Sequence, residues 1–141
     1  MKKSFLSILM IYSTFLLYSQ GFQLKSPDNK LELNVKVGQK IEWTLKHESS
    51  ILVENGSFSF IVNNDLDLAL HPKIKSRKQN RVTENVESLV PTKFRLIQLS
   101  YNQLVIEFKN SFAIEFRLYN NGFAYRPITR FKTELTVLNE D

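Results

Sequence analysis

The sequence predicts an all-β, mostly antiparallel, two-layer β-sandwich. Three observations point there. Short runs of alternating apolar and polar residues recur along the chain, the period-2 signature of strands with one face in a core. Turn-forming residues separate these runs at intervals of about 8 to 12 residues, as in sandwiches. Beyond the N-terminal apolar run, no segment carries a helical period. The clearest run is Phe112–Arg126. Phe112, Ile114, Phe116 and Leu118 share one parity, and Ala113, Glu115, Arg117 and Tyr119 share the other. Asn120-Asn121-Gly122 tolerates positive φ and lets the chain reverse. Phe123-Ala124-Tyr125 then restarts an apolar strand, so the stretch reads as a β-hairpin.

From the N-terminus, Lys2 and Lys3 precede the apolar run Phe5–Tyr18 and the small-residue exit Ser19-Gln20-Gly21. That is the layout of a secretory signal peptide, assigned to residues 1–20, with cleavage expected after Ser19, Gln20 or Gly21. The run is shorter than the about 20 apolar residues of a bilayer span, so no stable membrane insertion is expected. Residues 21–141 remain as one domain. The chain has no cysteine, so this domain must stand on burial rather than disulfides, and no lipid-modified cysteine follows the signal. A secreted protein, periplasmic in a bacterium, is the expected location. The formal charge is +5, of which Lys2 and Lys3 leave with the signal. The mild remainder does not make the concentrated basic surface that nucleic acid requires.

Within the domain, Ser26-Pro27-Asp28-Asn29-Lys30 reads as a turn, because Pro presets φ and Asp and Asn bond locally to backbone. Leu31, Leu33, Val35 and Val37 alternate with polar residues in a half-buried strand. Gly38-Gln39 turns the chain, and Ile41, Trp43 and Leu45 mark the partner strand. Trp43, the one Trp, is expected in the core rather than as a sugar platform. Ile51–Val53 predicts a short strand and Asn55-Gly56 a tight hairpin turn; Phe58, Phe60 and Val62 then share a face. Asn55-Gly56-Ser57 also fits a glycosylation acceptor and is read as a turn. Leu66, Leu68 and Leu70 suggest a strand with Asp65 and Asp67 on its solvated face, two carboxylates being too few for a metal site. Lys73, Lys75, Arg77, Lys78 and Arg81 form the one basic run, expected as an exposed loop or hairpin. Val82–Leu89 is a weak strand closed by Pro91. Phe94–Ser100 and Gln103–Lys109 are expected as two strands joined at Tyr101-Asn102. Pro127 should interrupt its strand, and Phe131–Leu138 starts a last run. The core should hold Trp43, Phe58, Phe60, Leu104, Ile106, Phe116 and Leu118.

The chain lacks recognisable catalytic apparatus, and no catalytic residue is assigned. There is no GxSxG elbow, HExxH pair or phosphate-binding glycine loop. His47 and His71 have no ligand spacing and read as surface histidines. Glu84, Glu87, Glu107 and Glu115 could in principle supply the paired carboxylates of glycoside hydrolysis, but none sits in a site-like stretch. Glu115 is expected on the outer sheet face beside Arg117, as ordinary charge pairing.

Three motifs carry a resemblance. Ser26-Pro27-Asp28-Asn29-Lys30-Leu31 looks like an SPDGK-type opening, Tyr101-Asn102-Gln103-Leu104 like a YNEL-type segment, and Ile114–Arg126 like an EFRxYxDGxAxR-type signature. In this order, behind a signal peptide, they resemble the N-terminal domain of glycoside hydrolase family 97, exported α-glucosidases and α-galactosidases typical of Bacteroidetes. The resemblance implies a large, supersandwich-like domain packed on a (β/α)8 barrel that carries the catalytic carboxylates and most of a calcium site. None of these 141 residues matches the barrel, so no cofactor is assigned to this chain, calcium is expected only in the full-length family, and the sandwich is expected to be incomplete. The signature ends on Arg126, the one residue assigned to substrate binding, because a guanidinium can hold sugar hydroxyls. The competing expectation is a structural ion pair near the sheet edge. Pro127 in place of an aromatic residue, Asn121 in place of Asp, and Leu89 in place of Trp depart from the pattern.

The leading expectation is therefore an accessory module, inactive alone, that helps shape the sugar pocket of a family 97-type α-glycosidase. Its implied partners are the barrel and an oligo- or polysaccharide. The alternative is a free-standing exported carbohydrate-binding or adhesion module. An anion-binding protein using Lys73–Arg81 ranks third.

Overall fold

The computed structural model describes residues 19–87 and 96–140. Residues 1–18 of the expected signal peptide and the Leu89–Pro91 positions lie outside the described residues. Eleven strands fill the described chain: β1 (Gln20–Lys25), β2 (Leu31–Val37), β3 (Ile41–His47), β4 (Ser50–Phe58), β5 (Phe60–Val62), β6 (Leu66–Asp67), β7 (Ile74–Glu87), β8 (Leu96–Phe108), β9 (Phe112–Tyr119), β10 (Phe123–Thr129) and β11 (Val137–Glu140). They make one sheet in the order β1-β2-β3-β4, a second in the order β10-β9-β8-β7, and a small third, β11-β5-β6. Neighbouring strands run antiparallel, so the fold is the expected all-β sandwich.

The two large sheets face each other through the apolar parity of their strands. Leu33, Val35, Ile41 and Trp43 on the first meet Leu104, Ile106, Ile114, Phe116 and Leu118 on the second, and all are buried. Every residue expected in the core is there, Trp43 included. Trp43 meets Phe116 edge-on at 5.9 Å between ring centres, and Tyr125 at 5.0 Å. Phe58, Phe60, Phe108 and Phe112 stack with nearly parallel planes where the third sheet joins. Such ring pairs add specific contact energy to simple burial.

Several local expectations change. Asn55-Gly56 is not a hairpin turn; it lies inside β4. Asn55 takes φ 55°, and the β3–β4 register shifts beside Trp43, which pairs with Gly56. A Cβ at Gly56 would stand 2.4 Å from Trp43 Nε1. The glycine gives the indole ring room against the backbone, and the extra residue is absorbed as a bulge. Tyr101-Asn102 is not a turn either, because β8 runs through it. Tyr101 pairs with Val82 on one side and Tyr119 on the other, and long-range pairing overrides local turn preference.

The basic run, expected as an exposed loop or hairpin, takes the hairpin form: from Lys75 to Arg81 it lies in the first half of β7, paired antiparallel with β8. β7 is an edge strand, where charged side chains stay in water while the backbone pairs with β8. Pro127 does not interrupt β10, which is also an edge strand; its missing N–H can fall on the unpaired row. The Leu66–Leu70 strand shrinks to the two residues of β6. Asp67 is not on a solvated face: its carboxylate accepts the Phe60 N–H at 3.1 Å, the Ala69 N–H at 2.9 Å and the Ser59 hydroxyl at 2.9 Å. The last run narrows to β11. Strand β1, carried by Phe22 and Leu24 alone, had too few alternating residues to be recognised.

Candidate functional site

The three motifs lie far apart in sequence and come together at one end of the sandwich. The Ser26–Lys30 turn is closed by its own side chains. The Ser26 hydroxyl donates to Asp28 Oδ1 at 2.6 Å and accepts the Leu31 N–H at 2.9 Å, while Asn29 takes φ 62°. Asn120, in the hairpin turn between β9 and β10, accepts the Asp28 N–H on its side-chain oxygen at 3.1 Å. Asn102 donates its side-chain N–H to the Lys25 carbonyl at 2.7 Å. These two bonds fasten the first sheet to the second.

On the face of the second sheet turned away from the core, the same motifs build a polar cluster around Glu115. Register places Arg117 beside Gln103 and Ala124, and Glu115 beside Val105 and Arg126. Glu115 is 1% exposed. Its Oε1 accepts from Gln103 and from Arg117 Nε, and its Oε2 accepts from Arg126 Nε, each at 2.5 Å. Burial by itself raises the Glu115 pKa; the bonds from Arg117, Gln103 and Arg126 outweigh it and hold the carboxyl below its ordinary value. Arg117 is correspondingly shifted upward: burial opposes its charge, and the Glu115 and Tyr119 contacts more than restore it. Its guanidinium lies 4.8 Å from the Tyr101 ring centre. Tyr101 donates its hydroxyl to Glu84 at 3.1 Å, and burial with that bond raises its pKa.

The expected outward position of Glu115 and its pairing with Arg117 hold, but the expected solvated sheet face is corrected: the carboxylate is buried. The reason is the two-sided burial of β9, the second strand from the sheet edge, whose outer face is covered by long side chains from both neighbours. A sequence sign existed: Gln103, Glu115, Arg117 and Arg126 all fall inside the motifs. Only strand register shows that they share one face.

Arg126 sits on edge strand β10, ion-paired to Glu115, with 61% of its side chain exposed. It lines a shallow cavity of about 150 Å³ with Glu115, Arg117, Tyr119, Ala124 and Tyr125. The ion pair expected as its alternative role is present, and the exposed guanidinium keeps donors toward solvent. Chemically, the arrangement is a preorganised hydrogen-bond donor surface. It offers no acid paired with a second free carboxylate, since Glu115 is fully engaged. His47 and His71 are exposed and do not line this cavity. Among the described residues, no group of three or more His, Asp or Glu could hold a metal ion. No described helix is long and apolar enough to cross a membrane.

The family profile described as glycosyl-hydrolase 97 N-terminal matches residues 24–141. The chain belongs to that family. The retaining alpha-galactosidase of Bacteroides thetaiotaomicron is 27% identical over 144 aligned residues, which cover 99% of this chain and 21% of that protein. A family 97 glycoside hydrolase from Pseudoalteromonas sp. strain K8, solved with panose, superposes with a TM-score of 0.72 at 11% identity, covering 84% of this chain and 19% of that one. A beta-arabinopyranosidase superposes with a TM-score of 0.74 at 19% identity, covering 86% and 20%. The two structures establish a shared fold. The glycosyl-hydrolase 97 N-terminal chain thus spans about a fifth of the length of each of these relatives.

Proposed function

We propose that this chain is the accessory N-terminal module of a family 97-type α-glycosidase: it helps shape the sugar pocket, with Arg126 touching the saccharide, and it does not hydrolyse glycosides alone. The observation that supports this reading is the Glu115 cluster. Its carboxylate is spent on fixing two guanidiniums and an amide, so it orients donors rather than transferring a proton. A donor array of this kind suits sugar hydroxyls. The proton donor and second carboxylate would come from the (β/α)8 catalytic partner, and the proposed setting is the periplasm or cell exterior. No step is assigned to calcium.

The test is direct. The purified protein, incubated with aryl α-glucosides and α-galactosides with and without calcium, should show no turnover above blank. Turnover abolished by replacing one of its own Asp or Glu residues would overturn the assignment. The second reading is a free-standing exported carbohydrate-binding or adhesion module, favoured by the exposed Arg126 and the cavity beside it. Saturable binding of an oligosaccharide by the isolated chain, lost in Arg126→Ala, would favour that reading. Sugar contacts that appear only together with a catalytic domain would favour the first.

A further inference from the structure

At the Ser111 end of the second sheet, a cleft of about 240 Å³ lies among Lys75, Glu107, Lys109, Ser111 and Arg130. Three segments supply its walls and are tied by backbone bonds. The Lys109 N–H donates to the Lys73 carbonyl and the Arg130 N–H to the Ser111 carbonyl, each at 2.9 Å. Ser111 itself takes φ 59° in the turn between β8 and β9. The cleft has one carboxylate, Glu107, and it is satisfied: Arg130 Nη2 stands 2.9 Å from Oε1, and the Ser76 hydroxyl donates to Oε2 at 2.9 Å. The Ser76 bond, with Arg130 and Lys75 nearby, holds the Glu107 carboxyl below its ordinary value, so it cancels one of the three cations at neutral pH. Among the described residues, Lys75 and Lys109 have no ion-pair partner.

We propose that this cleft binds an oxyanion carried on a saccharide, a sulfate ester or a uronate. Two uncancelled ammonium groups, a guanidinium and a hydroxyl converge on one small space. An oxyanion supplies several acceptors with charge to match, whereas a neutral sugar draws nothing from the excess charge. Glu107 pairs with Ala113, and Glu115 lies two residues further along β9 on the same face, about 7 Å away. A short acidic saccharide therefore reaches both the cleft and Arg126. The saccharide part of this inference rests on the function proposed above; the anion part does not.

The test is an amide NMR titration of the purified ¹⁵N-labelled protein at constant ionic strength, using inorganic sulfate, galactose 6-sulfate, galacturonate and neutral galactose in separate arms. Sulfate should shift the amides around Lys75, Lys109, Ser111 and Arg130, saturating at about 1 to 10 mM, as fits a few water-screened charge contacts. The K75Q/K109Q variant should keep its spectrum and lose about tenfold in affinity, while K25Q/K36Q on the first sheet should bind as the parent does. Absence of saturation, or equal shifts at lysines across the surface, would overturn the anion site. Sulfate binding with failure of both sugar-borne anions, or equal response to neutral galactose, would overturn the saccharide assignment and leave the accessory-module reading standing.

Discussion

A carboxylate that is 1% exposed costs free energy unless charge and hydrogen bonds surround it, and Glu115 has both. Removing it leaves Arg117 on β9 and Arg126 on β10 without their shared partner. Glu115→Ala should therefore lower stability by about 3 kcal/mol, read from a urea unfolding curve, since breaking a buried pair strands the remaining charge. The pH dependence has a definite sign. The folded-state pKa of Glu115 is lowered from its ordinary 4.5, so its contribution is complete above that value and disappears as pH falls through the folded-state pKa. Glu115→Gln should flatten the acid side of the stability profile. An acid limb as steep as that of the parent would contradict the role assigned to the cluster.

The bulge in β4 and the long hairpin of β7 and β8 are decided by neighbours rather than by local composition. Gly56 lies against the Trp43 indole, so Gly56→Ala should cost about 1 to 3 kcal/mol through forced displacement of the ring, with a change in Trp emission. No change in either would mean that the backbone yields freely there. The β7–β8 pair also runs past β9: residues 83–87 and 96–100 pair only with each other. On this ribbon Val86, Ile97 and Leu99 share one face, and Thr83, Asn85, Gln98 and Ser100 the other. An isolated two-stranded ribbon is marginal in water. Its amides should exchange with deuterium well before those of Leu104 and Ile106, which are flanked by strands on both sides. Uniform protection along β8 would contradict this.

At the scale of the molecule, the sandwich closes its core between two sheets and leaves strand edges open. Edge strand β4 carries Ile51, Leu52 and Val53 in succession, with Ile51 53% and Leu52 57% exposed. Such an edge is a template for pairing with another chain. Leu52→Lys should raise the solubility limit with little change in unfolding midpoint, checked by light scattering beside thermal unfolding. A large loss of stability would mean that Leu52 contributes to the core. The far-ultraviolet circular dichroism of the protein should be that of β-sheet; a helix-dominated spectrum would exclude the sandwich.

The sequence by itself determined the fold class, the strands β2, β3 and β9 and the core-facing residues on them. On a half-buried strand the solvent face and the core face are written into alternate positions, so parity alone names the core. It also carried the family, because the turn at Ser26–Lys30 and the hairpin at Asn120-Asn121-Gly122 need particular side chains at fixed spacing. Tertiary structure alone decided that Asn55-Gly56 is a bulge, that Tyr101-Asn102 lies mid-strand and that Pro127 is tolerated, since each depends on what lies across the ladder. It alone placed Glu115 under Gln103, Arg117 and Arg126, and Lys75 with Lys109 and Arg130. Strand pairing joins residues tens of positions apart through register, and register between distant strands is a property of the packed sheets that no local spacing records.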